Sequence, residues 1–304
     1  MTRPARRPDG VAAPGPTAGG QTSVLAVFAH PDDESLACGG LLAWCAAIGV
    51  RVSLLCLTHG DHGRAGRGAS GLKTRSLRAV RARELDAAAK ELGIGRVRLL
   101  DHEDGMLPWI LPARLDADIL DESRRTGPDV VVTFDADGLY WHPDHIAVHE
   151  RTTAVVTALG GRAPALFHVT VPLGAMREIV DHAARVSTAR GLSRPFARSI
   201  LGVADADAFG AGAPAPTLIV HARGHAVNKL RALRCHRTQF DDSALRFVDE
   251  DDAPRLLGTE HYRRSEVGAR GETIVDRLGR GDRGLDGPPV RTASDDGPAD
   301  GREA

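Results

Sequence analysis

Six short apolar runs punctuate the chain: VLAVFA (24–29), RVSLLCLT (51–58), RVRLLD (96–101), DVVVTFD (129–135), ALFHVTV (165–171) and TLIVHA (217–222). They are largely uninterrupted rather than alternating, the form taken by strands covered on both faces. Between them, near 35–48, 74–92, 112–126, 144–159 and 226–237, polar and apolar residues recur at helical spacing; the clearest case is TRSLRAVRARELDAAAKEL, which Gly93 ends. Strand and helix in alternation predict an α/β, Rossmann-like fold: a mostly parallel, twisted sheet with helices on both faces. No repeat of fixed period runs through the chain.

Both ends offer little to bury. Residues 1–21 and 268–304 are rich in Gly, Pro and charge, so they read as flexible tails around one α/β catalytic domain spanning 22–267. Residues 172–216 bear no motif and are expected to form cleft walls that set specificity. The first tail lacks the apolar stretch of a signal peptide, and no later stretch is long enough for a membrane span. With net charge −1, the chain has no basic excess to recruit nucleic acid or an anionic membrane. Four cysteines, Cys38, Cys45, Cys56 and Cys235, form no CxxC pair and sit in apolar surroundings, which suits a reducing, cytoplasmic location without disulfides.

Chemistry enters where two strands end. The first apolar run stops on His30-Pro31-Asp32-Asp33-Glu34, and the fourth leads into FDADGLYWHPDH (134–145). In open α/β sheets such strand ends line the ligand cleft. Pro31 and Pro143 suit the first turn of a helix, so each cluster reads as strand, tight turn, helix start. His30, Asp33 and His145 supply two imidazoles and a carboxylate, a set that suits a divalent ion of the zinc type; a zinc site that does chemistry has three protein ligands and leaves a fourth position for water. Zn2+ is the expected cofactor, with Fe2+ or another divalent ion as the alternatives. Asp32 and His142 stand beside this set uncommitted, while hydrolysis of an amide needs a base and a group to meet the oxyanion. Asp144 could orient a neighbouring histidine. Glu34 reads as a helix cap interacting with the dipole.

AHPDDE (29–34) with GG at 39–40, RARE (81–84), EDGML (103–107), DGLYWHPDH (137–145) and KLRALRCHRTQ (229–239) together resemble the PIG-L (LmbE-like) family of zinc-dependent de-N-acetylases. The resemblance implies His30, Asp33 and His145 as metal ligands, Asp32 as general base, and His142 as acid and oxyanion partner oriented by Asp144. It also implies Arg81 and Asp104 as substrate-binding residues; the plain alternatives are a solvated helix face for Arg81 and a turn position for Asp104. Where the family commonly shows T-x-G-E this chain reads THGDHG, whose His59 and His62 are expected to be solvated. Trp141 could stack on a sugar or cover the site. His236 and Gln239 fit a late H-x-x-Q pattern with a structural or outer role.

The function so implied is hydrolytic removal of an N-acetyl (N-acyl) group from an amino sugar or glycoconjugate, the small-molecule partner. The alternatives are an amidase of a larger thiol-conjugate or antibiotic-intermediate amide, and a metal-dependent binding or regulatory protein without turnover. No nucleic-acid or membrane partner is expected, and a homo-oligomer stays open.

Overall fold

The computed structural model describes residues 21–63, 74–191 and 198–281. Five of the six apolar runs form parallel strands at the expected places: β1 (Ser23–Phe28), β2 (Arg51–Thr58), β3 (Arg96–His102), β4 (Val130–Phe134) and β5 (Ala165–Thr170). The sixth gives the short β6 (Leu218–Val220). A strand the apolar pattern did not announce, β7 (Glu260–Gly268), runs antiparallel between β5 and β6, and the sheet order is β3-β2-β1-β4-β5-β7-β6. Its sequence, EHYRRSEVG, buries only Glu260 and Tyr262, so it lacks the apolar run that marks its neighbours. Every residue of β1, β4 and β5 is buried, as expected of strands covered on both faces.

Helices α1 (Asp33–Ala47), α2 (Thr74–Glu91) and α3 (Pro112–Thr126) follow the first three strands. Pro112 opens α3 and Gly127, at φ 54°, closes it, as the sequence signals demand. An irregular turn, α4 (Gly138–Trp141), leads into α5 (Pro143–Leu159); α6 (Ala175–Ala189), α7 (Ala226–Cys235), α8 (Arg237–Phe240) and α9 (Ala253–Leu256) complete the domain before β7. α6 lies within 172–216, expected only as cleft wall, and buries Met176, Ile179 and Val180. A last helix, α10 (Ile274–Gly279), lies inside the stretch expected to be a flexible tail. A Thr273/Asp276 capping box starts it and it buries Val275 and Leu278, two apolar residues too isolated to signal a helix. The remainder of both expected tails, 1–20 and 282–304, lies outside the described residues. No described helix is long and apolar enough to cross a membrane.

Chain order reverses at β1, which has β2 on one side and β4 on the other. Ligands bind at such a switch point, outside the carboxyl ends of the strands, and both polar clusters emerge there.

α1 is broken at Cys38, where φ is −144°. A break in a helix frees backbone N–H groups that must find other partners. Those of Gly40 and Leu41 each donate to the Glu260 carboxylate at 2.8 Å, and Lys229 Nζ and the Tyr262 hydroxyl donate to it at 2.7 Å. The Gly39-Gly40 pair makes room for this clasp: a Cβ on Gly40 would lie 2.8 Å from Ala222 Cβ and 3.0 Å from Glu260 Oε1, and one on Gly39 3.1 Å from Lys229 Cγ.

Candidate active site

His30, Asp33 and His145 meet at the β1/β4 switch point. His30 Nδ1 lies 3.1 Å from His145 Nε2 and 3.4 Å from Asp33 Oδ2, and Asp33 Oδ1 lies 3.3 Å from His145 Nε2. Each ring is held from behind. His145 Nδ1 donates to the Gly138 carbonyl at 3.0 Å, and its ring stacks on Phe134, the last residue of β4, at 4.0 Å. Gly138 is needed for this seat: at φ 54°, a Cβ there would stand 2.9 Å from His145 Cβ. His30 Nε2 faces Asp144 Oδ2 at 3.2 Å and Asp104 Oδ1 at 3.1 Å.

These outer partners decide what the inner nitrogens can be. A histidine whose far nitrogen donates presents a lone pair at the near one, and here two such nitrogens and a carboxylate converge within 3.4 Å. Bare lone pairs this close repel, so either a shared proton or a cation must stand between them. Four ligand bonds of 2.0–2.1 Å in a tetrahedron have edges of about 3.3 Å, near the 3.1 Å between the two imidazole nitrogens, and Asp33 turns Oδ2 to His30 and Oδ1 to His145. Four carboxylates, Asp32, Asp33, Asp104 and Asp144, are buried at the pocket, with the buried Arg81 bound to Asp32. Buried charge must be paired, so the pocket suits a divalent cation. Burial alone would lower His30, yet its bonds to Asp104, Asp144 and Asp33 hold its pKa well above the ordinary value; burial would likewise raise Asp33, but His145 and His30 hold it well below the carboxylate range.

Asp32 sits at φ 112°, a left-handed conformation that non-glycine residues adopt at a cost of order 1–3 kcal/mol. Two contacts keep it there: its N–H donates to Glu34 Oε2 at 3.1 Å, and its carboxylate accepts from Arg81 at 3.1 Å. Burial pushes its pKa up to about 7; Arg81 opposes the rise and Asp33 adds to it.

Several roles differ from those the sequence implied. Arg81 is 3 % exposed rather than on a solvated face, and its guanidinium binds the Gly60 and Pro31 carbonyls and Asp32. Asp104 is also turned inward, accepting the His62 N–H at 2.7 Å and contacting His30. The Asp144 carboxylate accepts from the Gly105 and Leu107 N–H groups at 2.8 and 3.0 Å and reaches the His30 ring; toward His142 it offers only its backbone N–H, which donates to Nδ1 at 3.2 Å. The expected orientation of His142 by the Asp144 side chain is thus replaced by orientation of His30.

His142 stands with its ring centroid 4.9 Å from that of His30 and 4.6 Å from that of His145. Burial, then His145 and His30, push its pKa down to about 4, and its Nδ1 accepts the Asp144 N–H, which leaves Nε2 to carry the proton of a neutral ring. Glu34 accepts the N–H of Asp32, the residue that opens α1, at 3.1 Å, as the cap reading implied, but not all of its other bonds are local. It is fully buried and accepts from His236 Nε2 at 2.7 Å and Ser35 at 2.6 Å, a long-range pairing that no local spacing could announce. His59 is covered and pairs with Asp101 at 3.1 Å, whereas His62 is exposed as expected. Trp141, 56 % exposed, donates from Nε1 to the Ala211 carbonyl at 2.8 Å.

A second polar cluster, Asp135, His149 and His168, lies one turn further along α5. Its carboxylate is already met by both arms of Arg263, at 2.9 and 2.5 Å, so the guanidinium holds the position a cation would need.

The PIG-L family, described as GlcNAc-PI de-N-acetylase, matches over residues 25–156. A 1D-myo-inositol 2-acetamido-2-deoxy-alpha-D-glucopyranoside deacetylase of Acidothermus cellulolyticus is 32 % identical over 265 residues, covering 79 % of this chain and 87 % of its own. Among solved structures, the N,N'-diacetylchitobiose deacetylase of Pyrococcus horikoshii superposes with a TM-score of 0.55 at 21 % identity, covering 80 % of this chain and 84 % of that one. The 4-carboxy-2-hydroxymuconate hydratase of Pseudomonas putida superposes almost as well, at 0.54 and 17 % identity over 84 % of this chain and 100 % of that one, so the fold by itself does not select the reaction. The chain belongs to the PIG-L family of de-N-acetylases.

Proposed function

We propose that the chain hydrolyses the N-acetyl amide of an amino sugar carried in a conjugate, with His30, Asp33 and His145 holding a divalent cation. The observation that carries this reading is the convergence of two imidazole lone pairs and one carboxylate within 3.4 Å, beside a buried Asp32 that none of them engages. The printed name of the Acidothermus relative points to an N-acetylated glucopyranoside of inositol, and what carries over is the class, an N-acetylated amino sugar joined to a second group.

A zinc-type ion supplies, when bound, Lewis acidity at the amide carbonyl and a shift of water's pKa toward about 7. Asp32 does the proton work. With a pKa near 7 it is a competent base at neutral pH, and once it has taken a proton from the attacking water it is an acid of matched strength. As the C–N bond breaks, Asp32 returns that proton to the departing nitrogen, leaving a free amine and acetic acid, which gives up its own proton to become acetate. His142, neutral, points an Nε2–H donor at the oxyanion without bringing a second cation into the pocket. Asp144 and Asp104 fix the tautomer of His30, as the Gly138 carbonyl fixes that of His145 while Phe134 holds its ring plane. The test is zinc reconstitution followed by measurement of amine released from N-acetylglucosaminyl conjugates. Stoichiometric metal without amine from any of them would refute the proposal.

A further inference from the structure

We infer that the mouth of the site is an apolar subsite for the group attached to the amino sugar, an alkyl or aryl aglycone, held between Met106, Trp109 and Leu111 on one side and Trp141 and Leu173 on the other. The inference rests on the deacetylase reading and names its substrate more closely.

Among the described residues, six large apolar side chains are exposed, and these are five of them; the sixth is Ile219. Singly scattered apolar residues are normal on a surface, but these five all belong to loops that follow the carboxyl ends of β3, β4 and β5, the edge where the candidate metal ligands lie. Trp109, Leu111 and Leu173 are 69, 77 and 70 % exposed, so nothing among the described residues covers them.

Each side is tied to the reacting groups. Met106 lies between Gly105 and Leu107, whose N–H groups hold the Asp144 carboxylate against His30. Trp141 immediately precedes His142 and bonds Ala211; the neighbouring Gly210 N–H donates to Leu139 and lies against the Val171–Leu173 backbone. The segments GMLPWILP (105–112), LYWHP (139–143) and VPLG (171–174) contain no Asp, Glu, Lys or Arg, in a chain that is 26 % charged. A polyol or phosphate aglycone would need polar partners here. The two groups expected to supply them, Arg81 and Asp104, are buried and engaged with Asp32 and His30. Pro108, Pro112, Pro143 and Pro172 restrict these loops, so an apolar group meets a surface already arranged for it.

The experiment compares the methyl and octyl glycosides of N-acetylglucosamine, below the micelle-forming concentration, on zinc-loaded protein and its Trp109→Ala/Leu111→Ser variant. Expected is a kcat/KM for the octyl glycoside about 10-fold or more above that for the methyl glycoside, since even one methylene in an apolar pocket is worth roughly 10-fold. In the variant that ratio falls toward one. Tryptophan emission gives a second readout that needs no turnover: the octyl glycoside shifts it to the blue in the wild type and less in the variant. Equal kcat/KM values in the wild type, or a ratio the variant leaves unchanged, overturn the subsite. An emission shift without amine from either glycoside would support the subsite and refute the deacetylase reading. Concentration-dependent dimerisation of the wild type, abolished in the variant with no glycoside effect on emission, would assign the face to a second copy and overturn the inference.

Discussion

Replacing Glu260 by Gln tests how α1, and with it the His30–Asp33 turn, is held. The carboxylate receives four hydrogen bonds of 2.7–2.8 Å, two from the broken helix and one each from Lys229 and Tyr262. Its side chain is 1 % exposed and that of Lys229 5 %, so neither has water as a substitute partner. The Gln amide keeps one acceptor and turns two N–H bonds toward groups that are themselves donors, and it leaves the ammonium charge buried without a counter-charge. Removing one partner of a buried pair costs about 3–5 kcal/mol, a large part of a typical 5–15 kcal/mol stability. At roughly 2–4 °C per kcal/mol for a domain of this size, the melting temperature should fall by about 10 °C. Lys229→Met alone leaves Glu260 its other three donors and should cost less. The informative variant is Glu260→Gln/Lys229→Met, in which the stranded charge is gone. Urea unfolding of all four proteins gives the coupling energy, and the double variant is expected to recover about 2 kcal/mol relative to Glu260→Gln. If it is as unstable as the two single changes added together, the cost does not come from stranded charge and the reasoning fails.

Other predictions concern the site and its surroundings. Asp32→Asn should bind zinc at wild-type stoichiometry while kcat falls by roughly 10²–10⁴, whereas His145→Ala should lose metal and activity together; elemental analysis beside kinetics separates the two, and metal loss in Asp32→Asn would remove it from the proton role. Glu34→Gln keeps one acceptor oxygen and so gives up either the Asp32 N–H or the His236 contact, and should lower kcat by roughly 10- to 100-fold with KM little changed and metal retained; an unchanged kcat would make the pair purely structural. His168, 2 % exposed, has its pKa pushed from 6.5 to about 4 by burial and by His149. Because the folded value is the lower one, its contribution is complete above pH 6.5 and is lost as pH falls through about 4. The gap of about 2.5 pH units corresponds to roughly 3 kcal/mol. Urea midpoints at pH 7 and 4.5 should therefore converge in His168→Gln, and an unchanged pH dependence would refute the assignment.

What the sequence made legible was local. His30 with Asp33, and His142 with His145, lie three residues apart at the ends of apolar runs, so residue spacing and the rule for strand ends were enough to bring them together. β7 was not legible, because antiparallel pairing with β5 sustains a strand whose own residues are mostly polar and half-buried. Partners remote in sequence were not legible. Glu34 read as a cap, Arg81 as a substrate ligand or a solvated face, and Asp144 as the orienter of His142, and each also binds a group far along the chain: His236 for Glu34, Pro31 and Asp32 for Arg81, His30 for Asp144. Burial decides which role wins, and single-sequence patterns do not report the burial of a charged residue.

The broken first helix also bears on how the protein comes into being. Its two ionic anchors, His236 and Glu260, are synthesised about 200 residues after the turn they steady. A nascent chain that has emerged only as far as α5 holds every candidate ligand, yet its opening helix has neither anchor, and a truncated gene product ending there should show no metal affinity above that of an unfolded peptide. Assembly of the centre is thereby deferred until the last strand inserts, which makes the carboxyl-terminal third a folding checkpoint rather than an appendage.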